Sequence, residues 1–252
     1  MWMKPLLAPV LAALALTASS AAAFDLGNMT EGERAVFREE VRAYLLDHPE
    51  VLMEAIGILE QRQAADQAHA EGQLISELSQ DIYNDGRSWE GGNPDGDVTL
   101  VEFLDYRCGY CRKAHDEVAA LVEGDGNIRF IVKEFPILGE DSLLASRFAI
   151  ATRKVAGPEA YKAAHDKLIT MQGTVNEAAL SRLARDLDLD GAAVMAAMND
   201  EFVLDELRAN RALAQKLDIS GTPTFILQGE MLRGYVPLPQ MEQMVAQARL
   251  AE

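Results

Sequence analysis

Val98-Thr99-Leu100-Val101-Glu102-Phe103, followed after four residues by Cys108-Gly109-Tyr110-Cys111, is the stretch from which the fold can be read. The apolar run has the length and composition of a buried strand, and Cys108 to Glu123 reads as a helix. Ile128 to Phe135 reads as another strand, so the three segments form a βαβ unit. The chain contains only two cysteines, and both lie in this stretch. Three residues apart at a helix start, they can pass between dithiol and disulfide. The helix N-terminus favours the thiolate of Cys108, and the thiolate is the species that attacks a disulfide. The spacing therefore predicts thiol–disulfide exchange.

Two other uses of the pair are weaker. A structural bridge across two intervening residues closes so small a loop that it adds little stability. Cys-x-x-Cys is also half of a four-ligand zinc site. There is no second cysteine pair, however, and His48, His69, His115 and His165 are scattered. His115 follows Cys111 by four residues, on the same helical face, and is read as a solvated helix residue. The expectation is no metal and no cofactor.

Lys4, the apolar run Leu6 to Leu16 and Ala21-Ala22-Ala23 together read as a secretory signal peptide over residues 1–23, cleaved before Phe24. The apolar run is too short for a spanning helix. No second long apolar run follows, so the mature chain of about 229 residues is expected to be soluble and periplasmic. The whole chain carries a net charge of −17, and removal of the single Lys4 charge takes it to −18. That balance excludes nucleic acid as a natural partner and would repel anionic lipid surfaces.

Residues 24–85 read as a helical N-terminal extension. Thr30-Glu31-Gly32-Glu33 has capping-box spacing, and Pro49 after Asp47-His48 suits the first position of a new helix. Val36, Val41, Tyr44 and Leu45 give one apolar face, and Val51, Leu52, Ile56 and Leu59 another. Such faces can fold back on the rest of the chain or pair with copies of themselves. The second option predicts a homo-oligomer, a dimer or trimer, although the heptad pattern is too short for a long coiled coil. Asp85 to Asp97 is turn-rich and marks a boundary. Residues 88–252 form the second domain. Within it, helices fill about 140–217, strands follow at Thr224 to Leu227 and around Met231 to Arg233, and a last helix runs from Leu238 to Arg249.

Two further features belong beside the cysteines. In Gly221-Thr222-Pro223-Thr224 a proline directly precedes a short apolar strand. X–Pro bonds are where cis peptides are tolerated, and a cis bond would free the Thr222 backbone to pair with an extended substrate chain. An ordinary trans proline at a strand start is the alternative. Glu102 is an acid inside an apolar strand. Burial would raise its pKa and suit it to accept the proton of Cys111, whereas an edge position would leave it in solvent.

Taken together, the strand ending in Glu102-Phe103, the Cys108-Gly109-Tyr110-Cys111 motif, the helical insertion and Gly221-Thr222-Pro223 resemble the DsbA-like branch of the thioredoxin superfamily. The resemblance covers roughly residues 88–250. It implies an α/β thioredoxin-like fold with a helical domain inserted between Phe135 and Thr222, and a cis Pro223 facing the cysteines. It also implies that Cys108 attacks, Cys111 resolves the mixed disulfide, and Glu102 is the family's buried acid. Thr222, Pro223, Gly109 and Tyr110 would contact substrate. With its helical extension the whole chain is similar to the ScsC group, suppressor-of-copper-sensitivity proteins of the bacterial envelope, some of which oligomerise through that extension.

One departure from the strongly oxidising DsbA pattern concerns the dipeptide between the cysteines. Those proteins carry Pro-His there, whereas Gly109-Tyr110 offers no cation, and the neighbouring Arg107 is read as solvated. The resemblance to DsbC-type isomerases at this dipeptide favours isomerase or reductase over oxidase. The implied partners are exported clients with disulfides and a membrane electron-transfer protein. Copper buffering by the two thiolates and a general chaperone role for the extension are the competing classes.

Overall fold

A computed structural model of the chain describes residues 27–250; the signal-peptide reading of residues 1–23 lies outside them. The described residues divide into two compact units that part between Gln61 and Arg62.

The first unit is helical. Helix α1 (Glu31–Asp47) opens on the expected capping box: Thr30 N–H donates to Glu33 Oε2 at 2.8 Å, and Glu33 N–H donates to Thr30 Oγ1 at 3.3 Å. Helix α2 (Glu50–Glu77) starts directly after Pro49 and runs without a break through the polar stretch beyond Gln61. No residue of α1 is buried, and Val36, Phe37, Val41, Tyr44, Leu52, Ile56 and Leu59 are all exposed.

The second unit is built on a five-stranded sheet in the order β1-β3-β2-β4-β5. The strands are β1 (Trp89–Gly92), β2 (Val98–Leu104), β3 (Ile128–Glu134), β4 (Thr224–Leu227) and β5 (Glu230–Arg233). Among the described residues only β2 and β3 run parallel, joined by helix α4 (Gly109–Asp125) as the βαβ reading requires. β1, β4 and β5 pair antiparallel. Strand β1 falls in the segment read as a turn-rich boundary. In its sequence, Trp-Glu-Gly-Gly, only Trp89 favours a strand, and β1 forms because β3 offers a free edge. Gly92 ends it with φ +68°, where a Cβ would sit 2.3 Å from the Ile128 carbonyl oxygen.

Alternation along β2 and β3 sets the two faces of the sheet. Val98, Leu100 and Leu104 face one side with Ile128, Phe130 and Val132, in a core that also contains Cys108, Cys111, Val118 and Phe148. Val101, Phe103 and Ile131 face the other, where Leu213, Leu217, Ile75 and Ile82 cover them. Thus helix α9 (Glu201–Lys216), read as the end of the insertion, closes the second face of the sheet. Ile75 and Ile82 draw residues 62–83, including helix α3 (Ser79–Tyr83), into the same unit. A buried ion pair fixes that attachment. Lys133 on β3 is fully buried, and its Nζ donates to Asp85 Oδ2 and to the Asp81 carbonyl, each at 2.8 Å. Burial alone would push the Asp85 carboxyl up, but the Lys133 ammonium and the Ser88 and Arg87 amides carry it down to about 2.

Between β3 and β4 the chain makes α5 (Glu140–Ala156), α6 (Pro158–Thr170), α7 (Glu177–Asp186), α8 (Gly191–Ala197) and α9. Proline at the first position of α6 and Asp190 capping α8 account for two of the breaks read from the sequence. Helix α10 (Leu238–Leu250) packs back beside α4, where Glu117 accepts from Tyr235 Oη at 2.5 Å and from Leu238 N–H at 2.6 Å.

Candidate active site

Cys108 is the N-cap of α4, so its sulfur sits at the positive end of the helix with the amides of the first turn beside it. The turn leading to it is held by Asp105, a fully buried residue. Its carboxylate accepts from Arg107 N–H at 2.7 Å, Ile137 N–H at 2.8 Å, Leu138 N–H at 3.0 Å and Ser142 Oγ at 2.7 Å. Its carbonyl accepts from Cys108 N–H at 3.0 Å. An aspartate one residue past a buried strand offers no sequence signal for this role.

The Cys108 thiol is carried down to about 5. The largest cause is the hydrogen bond from the Cys111 thiol. Burial opposes it, and bonds from the Thr222 side chain and the Cys111 and Tyr110 amides add to it. No cation figures among these causes. Arg107 is partly buried beside Asp141, 3.9 Å away, instead of solvated, and its Nη1 is buried without a partner. The Cys111 thiol is pushed far up by donating to Cys108, by burial and by Glu102. One cysteine is thus poised as thiolate while its neighbour keeps its proton.

The other sequence-singled residues fall around this pair. The Thr222–Pro223 peptide is cis, and the Thr222 carbonyl oxygen lies 3.1 Å from Cys108 Sγ, accepting its proton in the thiol form. The Thr222 N–H has no hydrogen-bond partner among the described residues. Pro223 itself is buried. Tyr110 is 63% exposed, and Gly109 has open space around its Cα. Glu102 is buried on the α4 side of β2, in register with Val98, Leu100 and Leu104. Burial pushes its carboxyl up to about 8, with the Cys108 and Glu134 charges adding to the effect. It lines a cavity of about 320 Å³ together with His115, His165, Lys162 and Glu123.

Behind Glu102 lies a polar network that the sequence pattern did not reveal. Glu134 Oε1 accepts from Tyr106 Oη at 2.6 Å and Tyr161 Oη at 2.7 Å, and Oε2 accepts from Ser146 Oγ at 2.7 Å. Burial pushes Glu134 up to about 7 although these three bonds pull it down. The members come from β3, the β2–α4 turn, α5 and α6. His115, read as solvated, instead turns into the cavity, its ring 5.2 Å from that of His165.

A cysteine pair at the start of the helix after the first parallel strand, facing a cis proline that opens an antiparallel strand, defines a thioredoxin-fold thiol–disulfide protein. The chain belongs to the DSBA-like thioredoxin domain family, whose model matches residues 99–246. The Copper resistance protein ScsC N-terminal domain model matches residues 33–66. Among solved structures, the chain is similar to a thioredoxin-like oxidoreductase from Silicibacter pomeroyi DSS-3, at 40% identity. That match covers 69% of this chain and 98% of the other, with a TM-score of 0.64. It is also similar to Proteus mirabilis ScsC in a compact conformation, at 30% identity, over 85% of this chain and 96% of that one, with a TM-score of 0.64. A curated relative, a Na(+)/H(+) antiporter NhaA 3 of Salinispora tropica, is 29% identical over 143 residues, 57% of this chain. The chain spans 22% of that protein's length. No helix among the described residues is long and apolar enough to cross a membrane.

Proposed function

We propose that the chain is an envelope thiol–disulfide oxidoreductase that isomerises or reduces disulfides in exported proteins. The observation that carries this reading is the Cys108 thiol, brought to about 5 at a helix start and set against the Thr222 carbonyl. At neutral pH such a group is largely thiolate. The thiolate attacks one sulfur of a client disulfide; a Cys108–client disulfide forms and the other client sulfur leaves as thiolate. In isomerisation that thiolate attacks a second disulfide in the client, and a client thiolate finally displaces Cys108, with no net transfer of electrons. In reduction Cys111 loses its proton and attacks Cys108 instead. The protein is then oxidised by two electrons, the client reduced by two, and a membrane partner restores the dithiol.

Glu102 is the proposed acceptor of the Cys111 proton. The Cys108 thiolate is one of the charges holding its carboxyl up. Formation of the mixed disulfide removes that charge, so Glu102 ionises more readily at the step where a base is needed. The unpaired Thr222 N–H suits strand-like pairing with an extended client chain, with exposed Tyr110 and Gly109 alongside. The exposed apolar faces of α1 and α2 support self-association of the helical extension, residues 24–85, into a homo-oligomer.

A second reading, DsbA-type oxidase, is favoured by the same sulfur. A thiol near 5 lies between the thioredoxin value of about 7 and the DsbA value of about 3.5. A more stable thiolate makes a more oxidising couple. Refolding of a scrambled disulfide substrate in a mild glutathione buffer separates the two readings. Reactivation that is lost when residues 24–61 are removed supports an isomerase. Oxidation of a reduced substrate without reactivation of a scrambled one supports the oxidase.

A further inference from the structure

Three donors that play no part in the thiol chemistry converge behind the cysteines, and two of them, His115 and His165, line the cavity there. His115 projects from α4, and His165 and Asp166 from α6. One ring nitrogen of each imidazole and one Asp166 oxygen all lie within 4.8 Å of one another. His115 Nε2 is 3.4 Å from Asp166 Oδ1. We propose that His115, His165 and Asp166 form a binding site for a borderline divalent cation of the zinc class.

The strongest support comes from His165, which is only 4% exposed. Tyr106 Oη donates its proton to Glu134, so the Tyr106 oxygen, 3.1 Å from His165 Nδ1, accepts from that nitrogen. The hydrogen therefore sits on Nδ1 and the lone pair on Nε2, for which no donor is found among the described residues. A buried imidazole with a bare nitrogen, steered through its other nitrogen by a carboxylate-held group, is the arrangement that orients metal ligands. Two imidazoles and a carboxylate are the donor set that zinc takes when a fourth position is left open, and the 320 Å³ cavity leaves room for it.

Two features of the site set its affinity. Tetrahedral zinc, with bonds of about 2.0–2.1 Å, places its donors about 3.3 Å apart, so the widest pair must close by about 1.5 Å. Asp166, with its side chain 38% exposed and its Oδ1 already 3.4 Å from His115 Nε2, is free to adjust to a bound ion. Lys162 is the opponent. Its Nζ reaches both Asp166 oxygens, at 2.8 and 2.6 Å, and it lines the same cavity. A cation must displace this ammonium, while Glu123 on the cavity wall favours its entry. The site uses neither cysteine and is distinct from copper held on thiolates.

The test is titration of Zn²⁺ into the full chain, oxidised so that Cys108 and Cys111 are joined and cannot ligate. A His48→Gln/His69→Gln background removes the two histidines outside the cavity. One equivalent should bind, read against a chelating indicator. His115→Gln and Asp166→Asn should each weaken binding at least about tenfold, with circular dichroism confirming the fold. Lys162→Gln alters a partly exposed side chain and should tighten binding severalfold, an effect that general damage to the fold would not produce. Absence of zinc binding, binding unchanged by His115→Gln and Asp166→Asn, or weaker binding in Lys162→Gln would each overturn the assignment.

Discussion

The sulfur of Cys108 lies 3.1 Å from the carbonyl oxygen of Thr222, a residue 114 positions further along the chain. Sheet register brings them together. Phe103 on β2 is opposite Thr224 on β4, so the turn after one strand and the turn before the other emerge at the same end of the sheet. Everything that tunes the Cys108 thiol, from the Cys111 donor to the Thr222 side chain, is gathered at that end.

The tuning has a measurable signature. In the reduced protein, the rate of Cys108 alkylation should be half-maximal near pH 5. The Cys111 thiol supplies the largest effect, so Cys111→Ala should raise the midpoint by about one unit or more. Cys111→Ser keeps a hydroxyl donor and should raise it less. Equal midpoints in the two variants would assign the effect to the helix amides instead.

The two cysteines should also divide the reaction between them. Cys108→Ser should abolish exchange on every disulfide substrate. Cys111→Ser should accumulate client-linked adducts, visible on non-reducing gels, because the mixed disulfide then lacks its intramolecular exit.

Glu102 makes stability depend on pH in a defined direction. Its carboxyl titrates near 8 in the folded protein against an ordinary value of 4.5, so the fold favours the neutral form. That contribution is fully present below about pH 4.5 and is lost as the pH rises toward and through 8. Glu102→Gln carries no such loss. Denaturant midpoints should show the variant more stable than the parent by a few kcal/mol at pH 9, with the two converging at pH 4.

The buried Lys133–Asp85 pair should behave as a unit. Asp85→Ala leaves an ammonium without a carboxylate in the core and should cost about 3–5 kcal/mol in chemical denaturation. Adding Lys133→Met to that variant should recover most of the loss, since the uncompensated charge is then gone.

The helical extension offers a separate test. Leu52→Lys/Ile56→Lys places charge on the exposed apolar face of α2 and should shift sedimentation from an oligomer to a monomer. Cys108 alkylation should be unchanged by it, because no residue around the sulfur is altered.

Much of this was legible along the chain. The strand from Val98, the helix after Cys108 and the strand from Ile128 announce themselves through apolar runs and breaks, and Thr224–Leu227 coincides with β4. These elements carry their own local signals. Strand β1 does not, because Trp89–Gly92 becomes a strand only through the ladder to β3. The role of α9 was hidden for the same reason: its apolar stripe shows that it packs, and only the sheet shows against what.

The site divides along the same line. The linear order by itself determined the chemistry, because a Cys-x-x-Cys pair at a helix start needs only local geometry to make one thiol acidic and the other its partner. Tertiary structure decided what that pair works beside. Thr222 meets Cys108 only because β2 and β4 are neighbours. His115 turns inward only because α6 brings His165 and Asp166 against α4, and Glu134 gathers Tyr106, Tyr161 and Ser146 only in the closed core. Each is an interaction between distant segments, and its free energy exists only once the intervening chain has been ordered.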